Sequence, residues 1–461
     1  MKCLSLFIYI VISAFSLVSY GQNNIEPFFD NKDRICFLGN SITHGGQYHE
    51  FVQLFYATRY PNTKVSFRNC GISGDVATGM LGRLEEDVLS QKPTHVFLMA
   101  GMNDVIRTLY FKGKASEEVL KKRQEALENY FIKTDLLVTK LVKNNITPVF
   151  LTPTIYDQYS KIEKENNMGC NDALQICVQH IKGLAKKYQA AIVDFNSPMK
   201  EIMQEGLKKD SLFTIIGADR VHPGTTGHFI MAYEILATLE HASFVSKIEI
   251  DMARKSKVKT ENCELSQLSK NKEGISFKCK ENSLPFPLNR ATNDATDYVP
   301  FMEEFNQELI KIKNLDPGVY NLTIGGVPIS SYSSALLKDG INLAINPKTP
   351  QFKQAAQVMR LCDEYRKTSY QLRAVPYIKF KYLNDYRGEQ NALATRAFLN
   401  KKLMPLKGKS YHGYIKKSMD EYFETLPRLD SLENRLLEIH NSIYVVNKPK
   451  SLVWNLVKNK N

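Results

Sequence analysis

A chain of 461 residues, 43% hydrophobic and 24% charged, can bury more than one core, which excludes a disordered chain and makes two domains the starting expectation. The formal net charge of +13 sits almost entirely in the second half: residues 251–461 hold 34 basic and 22 acidic residues, against 27 and 26 in residues 1–250. Those lysines are scattered rather than clustered, so they read as a solvated surface, and no nucleic-acid partner is expected.

The chain starts with MKCLSLFIYIVISAFSLVSYGQNN, in which Lys2 precedes an apolar stretch from Leu4 to Val18 and small residues Ser19 and Gly21 follow it. This is the pattern of a cleaved secretory signal. It predicts a signal peptide over 1–21, Gln22 as the first mature residue, and a secreted or periplasmic protein. Cys3 lies before the apolar stretch, where a lipid-attachment cysteine does not belong. No later segment is apolar enough to span a bilayer, so no stable membrane span is expected once the signal is gone. Loss of Cys3 leaves seven of the eight cysteines, an odd number, so at least one thiol stays unpaired or pairs between chains. Cys263 and Cys279 lie in neighbouring strand-like runs and are candidates for a bridge in an oxidising compartment. None of the cysteines has CxxC or Cys/His spacing, so no metal is expected.

Over residues 22–245 strand and helix alternate. RICFLGN, KVSFRNCG, THVFLMAG, TPVFLTP and AAIVDF are short apolar runs without polar alternation, as parallel strands buried on both faces require. The intervening stretches carry helical stripes, among them Phe51, Leu54 and Phe55, and Leu120, Ala126 and Leu127. Together they predict an α/β fold: a three-layer, doubly wound parallel sheet whose ligand crevice lies beyond the carboxyl ends of its strands. After about residue 245 the pattern changes. Residues 246–345 form a small β-rich region, with GISFKC and an alternation of Tyr320, Leu322 and Ile324 against Val319, Asn321 and Thr323. Residues 346–461 are mostly helical. The stretch SSALLKDGINLAINPKTPQ between strands and helices either reaches back toward the crevice or serves as a packing joint.

Chemistry-bearing residues gather at the strand ends. Ser41 stands where the first strand gives way to a helix, a position for a helix cap or for a nucleophile. Gly74, after the second strand, can bring a bare backbone N–H to a ligand. Asn103, after the third, offers an amide donor. With the Ser41 N–H these make a three-point oxyanion site. Asp219 and His222, in DRVHP, are spaced so that the carboxylate reaches one ring nitrogen while the other faces a serine. Each alone has a bland alternative as turn, cap or loop residue. Four such motifs, in order and at the right strand ends, are hard to assign to chance.

In these blocks the sequence resembles the SGNH hydrolases, or GDSL-like esterases and lipases, in a secreted bacterial form with an additional C-terminal region. The match lies in Ser41 of GNSIT, Gly74 of GISGD, Asn103 of GMND and His222 of DRVHP, and covers roughly residues 33–242. Asp219 matches the third triad member. One departure is Asn40, where the family usually has Asp before the serine. The resemblance implies acyl transfer through a Ser41–His222–Asp219 triad, with an oxyanion hole made by the Ser41 and Gly74 N–H groups and the Asn103 amide, and no cofactor. A secreted enzyme without an apolar lid favours a short acyl group on a polar alcohol, hence a carbohydrate O-acetylesterase acting on a small-molecule or polysaccharide ester. The alternatives are a lipid or lysophospholipid esterase and, in another class, a catalytically silent glycan-binding protein. Asp75 and Asp104, beside the donors, are expected to turn into local hydrogen bonds; contact of Arg220 with an acidic substrate is the less favoured reading of that residue, which is more ordinarily structural.

Overall fold

The computed structural model describes residues 26–253 and 257–459; the expected signal peptide at 1–21 lies outside them. The five apolar runs become β1 (Arg34–Gly39), β2 (Ser66–Gly71), β3 (His95–Met99), β4 (Thr147–Leu151) and β5 (Ile192–Val193). They form one sheet in the order β2-β1-β3-β4-β5, parallel throughout. Because strand side chains alternate between faces, Ile35 and Phe37 enter the core on one side and Cys36 and Leu38 the core on the other.

Seven helices cover the two faces: α1 (Ser41–Gly45), α2 (Gln47–Arg59), α3 (Ala77–Arg83), α4 (Glu117–Lys143), α5 (Cys170–Tyr188), α6 (Asn196–Leu207) and α7 (Thr225–Leu239). α2, α6 and α7 supply Phe55, Met199 and Phe229 to one core, and α3, α4 and α5 supply Met80, Tyr130 and Ile181 to the other. Phe51, Leu54 and Phe55 are buried as the helical stripe predicts. The stripe of α4 is differently placed: Leu120 is exposed, and the buried face runs through Ala126, Tyr130, Thr134, Leu137 and Leu141. Its first turn, in which the Ser116 side chain accepts from the Val119 N–H at 3.3 Å, is largely exposed.

Residues beyond 245 build two further sheets. One joins β6 (Ser246–Asp251), β7 (Val258–Glu261), β10 (Glu308–Lys313) and β13 (Ile341–Asn342); the other joins β8 (Cys263–Asn271), β9 (Gly274–Glu281), β11 (Val319–Ile324), β12 (Val327–Ser333) and β14 (Ser451–Lys458). Tyr320, Leu322 and Ile324 face inward between the sheets with Ile248, Ile312 and the single tryptophan, Trp454. Cys263 and Cys279 are buried there as free thiols, side by side. Short helices α8 (Arg290–Asn293), α9 (Phe301–Phe305) and α10 (Ser334–Asp339) connect strands, and α11 (Pro350–Tyr382), α12 (Ala392–Leu403), α13 (His412–Thr425) and α14 (Leu429–Val446) form the helical part. The stretch around Asn342 is a packing joint: its side chain accepts from the Glu308 and Ala344 N–H groups at 2.9 and 3.1 Å and donates to the Asn306 carbonyl at 3.0 Å.

The helical part packs against the parallel sheet at its β2 edge. Val358, Leu372 and Leu436 belong to the same core as Phe37 and Phe55. Tyr365 donates to the Phe67 carbonyl at 2.8 Å and Asn447 to the Ala57 carbonyl at 2.8 Å. α11 therefore runs along the edge strand that ends beside the crevice.

Candidate active site

Strand order reverses direction at β1 and β3, and a doubly wound sheet opens its crevice there, beyond the carboxyl ends of the strands. Ser41, Gly74 and Asn103 follow β1, β2 and β3. α1 approaches the end of β2 so closely that a Cβ on Gly71 would lie 2.2 Å from the His44 nitrogen, which is why glycine stands there.

Ser41 is the first residue of α1, and the cap belongs to Asn40, whose side chain accepts from the Ile42 N–H at 3.1 Å. The departure from Asp thus keeps the capping acceptor, and the Ser41 hydroxyl is left free for other work. It meets His222: Nε2 lies 2.7 Å from Ser41 Oγ. His222 Nδ1 lies 2.5 Å from Asp219 Oδ2. Asp219 Oδ1 accepts from the backbone N–H groups of Val221 and His222 at 3.0 and 2.9 Å. Burial alone would raise the Asp219 pKa, but these donors hold it well below the usual carboxylate range. The carboxylate stays charged and fixes the ring with its Nδ1 proton toward Asp219 and its bare Nε2 toward the serine.

The loop that carries His222 is closed on itself by Gly217 N–H to His222 O at 2.6 Å and Arg220 N–H to Gly217 O at 2.9 Å. Arg220 is not available to substrate. It is buried, and its guanidinium binds the carbonyls of Lys164, Asp157, Ser160 and Ile162 at 2.7–3.1 Å. Its role is to tie the 157–164 loop to the histidine loop.

Gly74 sits in a turn at φ +71°, a conformation that favours glycine. Among the described residues neither its N–H nor that of Ser41 has a hydrogen-bond partner. The Asn103 amide nitrogen donates to the Asp75 carbonyl at 2.9 Å, while its oxygen accepts from Arg107 Nη1 at 2.7 Å. Arg107 thereby fixes which way the amide points and leaves its second N–H unspent. Arg107 lies four residues past Asn103 and was not singled out from sequence, where it reads as one more surface cation.

Both neighbouring aspartates turn away, as expected. Asp75 pairs with Arg83 at 2.8 Å. Asp104 accepts from the Ala77 and Gly101 N–H groups at 2.7 and 2.8 Å, and burial pushes its pKa up to about 6. His44 is buried, and desolvation with the nearby Arg373 and Arg83 pulls its pKa down to about 3. Its neutral Nδ1 accepts from the Ser73 N–H at 3.1 Å.

Beside Asp219 and Asn103 opens a cavity of about 350 Å³, lined by Arg107, Tyr156, Lys164, Glu165 and Asn167 among others. Its wall mixes charged and amide groups with the apolar Ile106 and Val221; Asp219 lines it, and the His222 and Asp219 side chains are 46% and 48% exposed. Chemically, a serine oxygen, a base and unpaired N–H donors suit attack on a carbonyl carbon and stabilisation of the resulting oxyanion.

The sequence model of the GDSL-like Lipase/Acylhydrolase family matches residues 37–230. An acetylxylan esterase of Geobacillus stearothermophilus is 26% identical over 227 residues, 44% of this chain and 92% of that protein. Among solved structures, a gut microbial diltiazem-metabolizing enzyme is 31% identical with a TM-score of 0.84, over 94% of this chain and 98% of that one. The crystal structure of a Geobacillus stearothermophilus acetylxylan esterase is 23% identical with a TM-score of 0.38, over 46% of this chain and 95% of that one.

Proposed function

Because the chain belongs to the GDSL-like lipase/acylhydrolase family of SGNH hydrolases and is a serine ester hydrolase, we propose that it removes O-acetyl groups from carbohydrate, outside the cytoplasm, through Ser41, His222 and Asp219. The observation that carries this reading is the line Ser41 Oγ, His222 Nε2, His222 Nδ1, Asp219 Oδ2, with contacts of 2.7 and 2.5 Å, beside two unpaired backbone N–H groups. The Arg107, Lys164, Glu165 and Asn167 side chains in the cavity wall support a polar alcohol, and the similarity to an acetylxylan esterase supports acetyl as the acyl group.

In this mechanism His222 Nε2 takes the Ser41 proton as Oγ bonds to the acetyl carbonyl carbon. The carbonyl electron pair moves to oxygen, and that oxyanion lies against the N–H groups of Ser41, Gly74 and Asn103. Collapse re-forms the carbonyl and breaks the bond to the sugar oxygen, which receives the proton from Nε2. Water then repeats the cycle on the acetyl-serine, with His222 as base, and acetate leaves. Asp219 keeps the ring oriented and balances the imidazolium.

The test is hydrolysis of p-nitrophenyl acetate by the mature protein beside Ser41→Ala, with acetate release from acetylated xylan and pectin in the same samples. Long-chain nitrophenyl esters and diltiazem complete the panel. Turnover lost with Ser41, together with acetate from a polysaccharide, supports the proposal; preference for long acyl chains replaces it with the lipid-esterase reading. No labelling of Ser41 by a fluorophosphonate replaces it with the silent glycan-binding reading. N-terminal sequencing of exported protein checks Gln22 as the first mature residue.

A further inference from the structure

Side-chain hydrogen bonds from two parts of the molecule converge on three consecutive residues, Ser73, Gly74 and Asp75. From the parallel-sheet side, His44 of α1 accepts from the Ser73 N–H at 3.1 Å and Asn103 donates to the Asp75 carbonyl at 2.9 Å. From the C-terminal helices, Lys381 Nζ donates to the Gly74 carbonyl at 2.8 Å and the Tyr414 hydroxyl donates to Ser73 Oγ at 3.0 Å. Ser73 Oγ lies in turn 2.9 Å from His44 Nδ1. That nitrogen is an acceptor, so the chain runs Tyr414 O–H to Ser73 O–H to His44. His44 is three residues past Ser41, and its ring stacks on Tyr370 of α11 with centroids 5.0 Å apart. The loop bearing the Gly74 N–H is thus held from both sides.

We propose that Lys381 and Tyr414 are positioning residues of the esterase, fastening the Ser73–Gly74 turn so that the Gly74 N–H is aimed where the oxyanion forms. The C-terminal half is then part of the catalytic apparatus rather than an appended module. Gly74 needs such clamps: it has no side chain to pack and its turn carries a positive φ. A donor works in an oxyanion site only when it is aimed in advance. The inference rests on the catalytic reading of Ser41.

The experiment compares the full-length chain with Lys381→Met and Tyr414→Phe, singly and together. Both changes keep the apolar body of the side chain, and Tyr414 is exposed, so folding should survive; thermal melting checks it. With p-nitrophenyl acetate the double variant should lose about 10- to 100-fold in kcat with KM changed less than about twofold, the range for a misaimed oxyanion donor. Fluorophosphonate labelling of Ser41 should slow by a similar factor, and Lys381→Arg should recover most of the rate lost in Lys381→Met. Unchanged kcat in an active enzyme, or a rise in KM alone, overturns the inference and leaves the catalytic reading standing. Absence of Ser41-dependent turnover in the wild-type chain overturns both.

Discussion

Replacing Asp219 by Asn tests the histidine tautomer, on which the proposed chemistry depends. Asp219 Oδ1 accepts two backbone N–H groups at 3.0 and 2.9 Å, and an asparagine oxygen placed there keeps both. The new amide nitrogen then faces His222 Nδ1, formerly 2.5 Å from a carboxylate oxygen. Two N–H groups cannot share that contact, so the ring must move its proton to Nε2. Nε2 then donates to Ser41 Oγ, 2.7 Å away, and cannot accept its proton. In a buried triad this change costs about 10⁴ in kcat. Here both side chains are close to half exposed, so water can serve Nδ1 in the productive tautomer. We therefore expect a loss of about 10³, equivalent to about 4 kcal/mol of transition-state stabilisation. Since Asp219 is held well below the usual carboxylate range, it stays ionised from mildly acidic pH upward, so the comparison is between a carboxylate and an amide throughout that range. The assay is kcat for p-nitrophenyl acetate across pH 5–9 with matched melting curves. A folded Asp219→Asn variant keeping more than a tenth of wild-type kcat refutes the tautomer argument.

Asn103→Ala removes one oxyanion donor and should lower kcat by about 10²–10³, measured against Arg107→Met, which only loosens the Asn103 amide and should cost less. Arg373→Met removes the bidentate partner of buried Asp87, at 2.7 and 2.8 Å, and the donor to the Gly71 carbonyl at 3.0 Å. Breaking a buried pair costs about 3–5 kcal/mol, and because Arg83 still pairs with Asp87, a loss of about 3 kcal/mol or slightly less is expected in urea denaturation. Less than about 1 kcal/mol would refute a structural role for that ion pair. Glu281 and Glu308 are buried together, and burial raises both pKa values above the ordinary 4.5, with the neighbouring carboxyl adding to the rise at Glu308. In that range the folded state binds more protons than the unfolded, so this contribution is full at acid pH and is lost as pH rises through the folded values. Glu308→Gln should therefore flatten the fall in melting temperature between pH 5 and pH 9 and exceed wild type at the alkaline end; parallel curves would refute it.

The parallel sheet and the positions of its candidate site residues were legible in the sequence for a physical reason. Strands buried on both faces must be short apolar runs, and an α/β crevice must collect its functional residues just past them, so Ser41, Gly74, Asn103, Asp219 and His222 fall at readable places. The same local logic reads helix α11, opened by Thr349 and Pro350, and the alternation in β11. It does not reach Arg373, Lys381 or Tyr414, which lie about 300 residues from the turns they hold and on their own helices resemble ordinary surface side chains. The partners of Arg220 are out of reach for the same reason: the four carbonyls that bind its guanidinium come from a loop about 60 residues earlier in the chain. Local sequence determined which elements form and which residues are the candidates for the chemistry, because propensity and periodicity act over a few turns. Only the tertiary structure decided how those residues are aimed, because the bonds that aim them close across hundreds of residues and leave no periodic trace along the chain.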